Sequence, residues 1–228
     1  SLSVTEGGLG DSYDVSLSDA PTNDVLVSIS VDSQITSSSA LLTFTDLNWS
    51  TPQTVDIFAD NDDLIEGAHF GYISHSASSL DVGYDGLLVA PIIVSITDND
   101  VAGATITQSG GSTNVSEAGA TDTYTIALAS QPIADVVINI SPDAQLSVNP
   151  TSLTFTNLNW STPQSITITA INDAVVEGSH TGTITHTSSS PDANYDAIVI
   201  SSLVVNIADN NTPPSSGGGG GGGLPAPA

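Results

Sequence analysis

The chain reads as an all-β protein built from two tandem, seven-stranded, immunoglobulin-like β-sandwiches. Three observations carry that reading. Apolar and polar residues alternate in short runs bounded by Gly, Pro, Asn and Asp, as half-buried strands require. No segment holds a helical period of useful length. The sequence also repeats itself at an offset of 111 residues, long enough for whole domains rather than a short-period solenoid.

The repeat organises the chain into residues 1–100, residues 101–211 and a Gly/Pro-rich tail, residues 212–228. Strands are expected at 2–4, 13–17, 25–31, 42–44, 55–59, 69–75 and 92–96, and again 111 residues later. Seven short strands in about 100 residues suit one sheet-on-sheet core per unit. The second unit has a leader, residues 104–108, whose counterpart would precede Ser1. The first unit therefore begins without that edge, to be supplied by a preceding repeat or a neighbouring chain. Seven consecutive glycines and the Pro-rich end after residue 223 suit a flexible tract followed by a stiff one.

Composition removes several function classes. There is no Lys or Arg against 25 acids, a formal charge of −25. Nucleic-acid binding needs basic side chains to neutralise phosphates, and attraction to anionic lipid needs them too. No stretch is long and apolar enough to span a bilayer. An unpaired excess of negative charge repels itself unless cations gather on it, so a metal partner is expected. The chain has no cysteine, and its abundance of Ser, Thr, Asp, Asn and Gly suits an extracellular or cell-surface β-protein.

Glutamate is placed rather than scattered. All four glutamates fall on two registered positions, Glu6 with Glu117 and Glu66 with Glu177. Antiparallel strands reverse direction, so loops alternate between the two ends of a sandwich. The loops after the first, third, fifth and seventh expected strands share one end, which gathers Glu6, Asp32, Asn61, Asp62, Glu66, Asp98 and Asp100. Their counterparts are Glu117, Asp143, Asp173, Glu177 and Asp209. Close carboxylates repel by roughly 1 to 4 kcal/mol per pair near a surface, and a bound hard cation reverses the sign. Calcium accepts six to eight oxygens in the flexible geometry that loops supply, whereas zinc asks for nitrogen or sulfur. Calcium is the expected ion, with these twelve residues as candidate ligands.

At these positions the sequence resembles the Calx-β family. The motifs are a Glu after the first strand (Glu6, Glu117), an acidic turn closing in Glu-Gly (61–67, 172–178), and a terminal Asp98-Asn-Asp100 or Asp209-Asn-Asn211. Leu42-Thr-Phe44, Asn48-Trp49, Pro52-Gln53, His75 and Tyr84-Asp85 are similar to the variant found in tandem arrays of bacterial surface and secreted proteins. The resemblance covers residues 1–211 and implies a seven-stranded sandwich binding calcium at one end. The near-identical units, an ion at the linker end and the lack of catalytic residues point to a structural or adhesive module of an extracellular adhesin, stalk or fibre. The unmatched leader of the second unit raises a sharper version, in which chains join end to end in a filament by strand addition. A calcium-dependent carbohydrate-binding module, with surface glycans as partners, is the alternative.

The second unit departs from the first. Asn211 stands for Asp100, Ala174 for Asp63 and Ile171 for Asp60, so a weaker second ion site is expected. His69 and His75 lie six residues apart on one strand, roughly 20 Å at about 3.3 Å per residue, too far to share an ion. They are read as structural. Trp49 and Trp160 follow a repeated turn and are expected to pack. Asp81, Tyr84 and Asp85 fall at the opposite end, placed to touch the calcium end of a preceding unit, and Asx-turn chemistry explains them almost as well. The five Asn-x-Ser/Thr sequons carry little weight in a chain this rich in Ser and Thr. With the registered carboxylates committed to the ion and no activated nucleophile in view, the chain is not expected to be an enzyme.

Overall fold

The computed structural model describes residues 1–213, so most of the Gly/Pro tail lies outside the described residues. Residues 1–97 form β1 (Leu2–Thr5), β2 (Asp11–Val15), β3 (Val25–Val31), β4 (Ile35–Ser37), β5 (Leu41–Phe44), β6 (Gln53–Ala59), β7 (His69–Ser79) and β8 (Ile92–Thr97). The remainder forms β9 (Ala104–Gln108), β10 (Asn114–Ser116), β11 (Asp122–Leu128), β12 (Val136–Pro142), β13 (Leu146–Asn149), β14 (Ser152–Phe155), β15 (Gln164–Ala170), β16 (His180–Ser189) and β17 (Leu203–Ala208). One 3-10 turn, Ser109–Gly111, joins β9 to β10.

Each half is a two-sheet sandwich. In the first, a five-stranded sheet β1-β8-β7-β3-β5 packs on a three-stranded sheet β2-β6-β4. In the second, β10-β17-β16-β12-β14 packs on a four-stranded sheet β13-β15-β11-β9. Alternation decides the inside of each. Val25, Val27 and Ile29 of β3 point inward, and Leu26, Ser28 and Ser30 do not. Val55, Ile57, Ile73, Val94 and Phe44 close the first core, with Ile166, Ile168, Ile184, Val205 and Phe155 as their counterparts. Fully burying one such side chain is worth about 1.5 to 3 kcal/mol.

The strand count exceeds the seven expected per sandwich, for a reason visible in residues 35–44. β3 and β6 both end near Gln34, because Asp60 N–H donates to Gln34 O and Ile35 pairs with Ala59. β4 is antiparallel to β6, and β5 is antiparallel to β3, so β4 and β5 run the same way. They are one strand that changes sheets: Ser38 N–H donates to Asp56 O in one sheet, and Ala40 O accepts Ile29 N–H in the other. The extra strand adds no reversal, so loop parity survives it. The leader of the second half is β9, antiparallel to β11 from Tyr124/Gln108 to Leu128/Ala104. Among the described residues no strand pairs with the outer edge of β2.

β1 joins its sheet by parallel pairing with β8, Leu2 opposite Val94 through Thr5 opposite Thr97. That puts the end of β1, with Glu6, beside the end of β8, with Asp98.

Candidate metal centre

Glu6 follows β1 directly, and its N–H donates to Thr97 O at 3.1 Å. Its side chain is buried, at 2 % exposure, an unusual place for a carboxylate. One ligand atom each from Glu6, Glu66 and His69 lies within 4.8 Å of the others, and the same holds for Glu6, Asp98 and Asp100. Glu6 is common to both groups, so five side chains from three loops converge.

Backbone hydrogen bonds hold the rim. Asp98 Oδ2 accepts the N–H groups of Glu66 and Gly67, each at 2.7 Å, and Oδ1 accepts that of Asp100 at 2.7 Å. Gly67 can turn its N–H inward because it sits at φ +68°, a left-handed conformation costly for a residue with a Cβ. The second half does the same with Gly178 at φ +70° and Asp209. Gln34 Nε2 donates to Glu66 Oε1 at 3.1 Å, and Gln145 to Glu177 at 3.0 Å. Asn99 Nδ2 bridges Glu6 O and Asn61 Oδ1 at 2.9 and 2.8 Å.

The histidine stands in a telling orientation. His69 Nδ1 faces Gly67 O at 2.8 Å and so donates to it. Nε2 then faces Glu66 Oε2 at 3.4 Å and Glu6 Oε1 at 4.0 Å, and what it presents to them is either a proton or a lone pair. A lone pair facing two carboxylates is unfavourable unless a positive charge lies between them. Several buried atoms here have no hydrogen-bond partner: Glu6 Oε2, His69 Nε2 and Asp100 Oδ2. Such orphaned polar atoms cost free energy unless something outside the chain satisfies them.

The carboxyls respond to this crowding. Burial raises Glu6 above its ordinary value, and the charges of Asp98 and Asp62 add to the effect. Asp100 is raised by burial as well, with Asp98, Asp63 and Asp62 contributing, against a Ser130 hydroxyl that donates to it at 2.9 Å. Burial acts on Asp98 in the same sense, yet its three backbone donors outweigh it and Asp98 lies below its ordinary value. The centre thus contains a firmly ionised rim and a reluctant interior.

The second centre is a reduced copy. Glu117, Glu177 and His180 converge within 4.8 Å, and both oxygens of Glu117 are buried without a partner. His180 Nδ1 lies 2.9 Å from Gly178 O, and Nε2 lies 3.4 Å from Glu177 Oε2. Where Asp100 completes the first centre, Asn211 donates to Asp173 O at 3.2 Å instead. Burial, then Asp209, Asp173 and Glu177, raise Glu117.

Among the twelve candidate ligands, Glu6, Glu66, Asp98, Asp100, Glu117 and Glu177 stand in these groups. Asp209 is held behind the second group on the N–H groups of Glu177, Gly178 and Asn211. Asp62 and Asp173 border the centres and cap their own turns, accepting Leu64 and Val175 N–H at 2.7 Å. Asn61 lies between Asn99 and Gly7. Asp32 and Asp143 fall in no group. Each spends both oxygens on backbone, Asp32 on Tyr72 and Gln34 N–H, Asp143 on Thr183 and Gln145 N–H. His69 and His180 belong to the groups, which sequence reasoning missed by pairing each with the second histidine of its strand. The available signal was a repeated Glu-x-x-His. His75 and His186 are structural as expected, each taking a Tyr hydroxyl on Nε2, at 2.8 and 2.9 Å. Of the two tryptophans expected to pack, Trp160 packs on the second core, whereas Trp49 is half-buried and is not among the side chains packed on the first.

The first centre meets the second sandwich. Besides Ser130 on Asp100, Gln131 N–H donates to Asp63 O at 2.7 Å, and Ile65 packs on the second core. At the far ends, Tyr84 donates to Asp19 O and Asp81 accepts Thr22 and Gly83 N–H, the turn-building expected of them.

No protein-family model matches the chain, and no curated protein does. Among solved structures it is similar to calcium binding domain CBD12 of CALX1.1, at 16 % identity and a TM-score of 0.42, covering 90 % of this chain and 95 % of that one. CBD12 from CALX1.2 gives 16 % and 0.37 over 85 % and 79 %. The titin domains z1z2 give 11 % and 0.37 over 93 % of each. At these scores the likeness identifies neither a family nor a ligand for this chain.

Proposed function

We propose that the chain is a calcium-binding structural module, in which an ion at the end of each sandwich stabilises it and the first ion stiffens its junction with the second. One observation carries the reading: Glu6 and Glu117 are buried carboxylates with oxygens that no protein group satisfies. Their partners are carboxylates, the hard donors that calcium takes in numbers. A tandem array of such units suits a secreted or cell-surface adhesin, stalk or fibre, extended by neighbouring repeats or copies of the chain. No step of this role asks for catalysis.

The test is thermal unfolding in millimolar calcium, in millimolar magnesium and in chelator. Calcium at about 100 times its Kd raises stability by about 2.7 kcal/mol per site. Glu6→Gln keeps the shape of the side chain and removes the charge, and it is expected to abolish the gain of the first site. Equal melting in all three solutions would end the calcium reading.

A second reading, a calcium-dependent carbohydrate-binding module, is favoured by Phe70 and Tyr72. They stand 57 % and 51 % exposed on the strand that begins at the first centre, where the second half has Thr181 and Thr183. Retention on immobilised glycans, lost with Tyr72→Ala and with chelator, would establish it.

A further inference from the structure

The two sandwiches differ by one strand. In the second, β11 is covered along its outer edge by β9, and Ala102, Ala104 and Ile106 pack on the core. In the first, the corresponding strand β2 is the end of its sheet. A groove of about 420 Å³ runs beside it, lined by Tyr13, Val15, Leu17, Tyr84, Val89 and Ile92 among others. Five of the six counterparts, Tyr124, Ile126, Leu128, Tyr195 and Leu203, are buried and Ile200 is half-buried, whereas these are half-buried or exposed. His186 Nδ1 donates to Ser201 O at 3.0 Å, while His75 Nδ1 is buried with no partner.

We propose that this groove is an acceptor for an uncharged extended strand with the residue pattern of 102–108, docked antiparallel to β2 in the register β9 takes on β11. The repeat defines the occupant. Translating β9 onto the first sandwich sets its residues against Tyr13 to Leu17, the end of β2 and the two residues after it, with small side chains at the Ala102 and Ala104 positions and a β-branched one at the Ile106 position. Adding a strand at an open edge satisfies a row of unpaired backbone groups, and inward side chains supply specificity. Charge narrows the choice. The edge carries Asp11 and Asp14 in a chain of formal charge −25, and residues 101–116 contain no acid. An acidic strand would be repelled where this one is not.

The experiment joins a copy of residues 101–111 directly ahead of Ser1, which reproduces the spacing of the second half. Hydrogen exchange of the amides of residues 12–16 is then measured against the unfused chain, both without calcium. The fused chain is expected to exchange there at least about tenfold more slowly, and Ile106→Asp within the added copy is expected to abolish the protection. A capped peptide of residues 101–109 added in trans should protect the same amides at high concentration. Unchanged exchange in the fused chain would overturn the proposal.

Discussion

Tyr13 and Tyr124 occupy equivalent positions, make equivalent bonds to His75 and His186, and live in different solvents. Tyr124 is 1 % exposed and Tyr13 is half-buried, and the same contrast separates Val15 from Ile126 and Tyr84 from Tyr195. What differs is β9, five residues that belong to neither side of the comparison. A core is thus completed by its edge as much as by its interior. Burial drives both tyrosine hydroxyls above their ordinary value, and Tyr124 is the more strongly shifted.

The sharpest way to break this comparison is to truncate the paired positions. Ile126→Ala should cost about 3 to 4 kcal/mol through lost burial and a cavity, while Val15→Ala should cost about 1, read as shifts in urea midpoint. Equal costs would mean that the two faces are equally closed in solution. Removing the hydroxyls is milder. Tyr124→Phe strands His186 Nε2 in a dry site at about 1 to 3 kcal/mol, and Tyr13→Phe should cost under about half of that.

The two proposed ion sites admit a similar test. Asp100→Asn gives the first centre the residue of the second and is expected to weaken calcium about tenfold, about 1.4 kcal/mol, by calorimetric titration. Wild-type chain should show its tighter site in the first half. A tighter second site would reverse the comparison.

The smallest effect is in pH. Glu6 is raised in the native state above its unfolded value of 4.5, so its ionisation opposes folding. In chelator, this contribution makes the protein more stable as pH falls through the raised native value toward 4.5. Asp98 works in the opposite sense, its depressed value giving stability that is present above 3.8 and lost as pH falls through the native value. Melting temperature in chelator should therefore rise modestly on mild acidification and then fall. Glu6→Gln should shrink the rise, and calcium should remove it by competing with the proton.

Much of this was legible from residues. The sandwiches followed from alternation, the shared end of the acids from loop parity, and the smaller acidic group of the second half from Asn211. Residues 35–37 escaped because three residues carry too little pattern to mark a strand, and because the sheet change leaves the direction of the chain unaltered. Asp32 and Asp143 show the limit of parity. A carboxylate can sit at the right end and still be spent on two backbone N–H groups, which only geometry reveals. His69 needed the third dimension too, since the bond of its Nδ1 to Gly67 O is what turns Nε2 toward Glu66 and Glu6.

The parallel pairing of β1 with β8 has a mechanical meaning. Force applied at the start of β1 and the end of β8 would pull these neighbours past one another along their length. All four paired positions, Leu2 through Thr5, then bear the load together instead of opening one after another. A unit tethered by its two ends would resist such tension as a shear clamp. Chaining the clamps at the junction where Ser130 grips Asp100 would pass the load from one to the next.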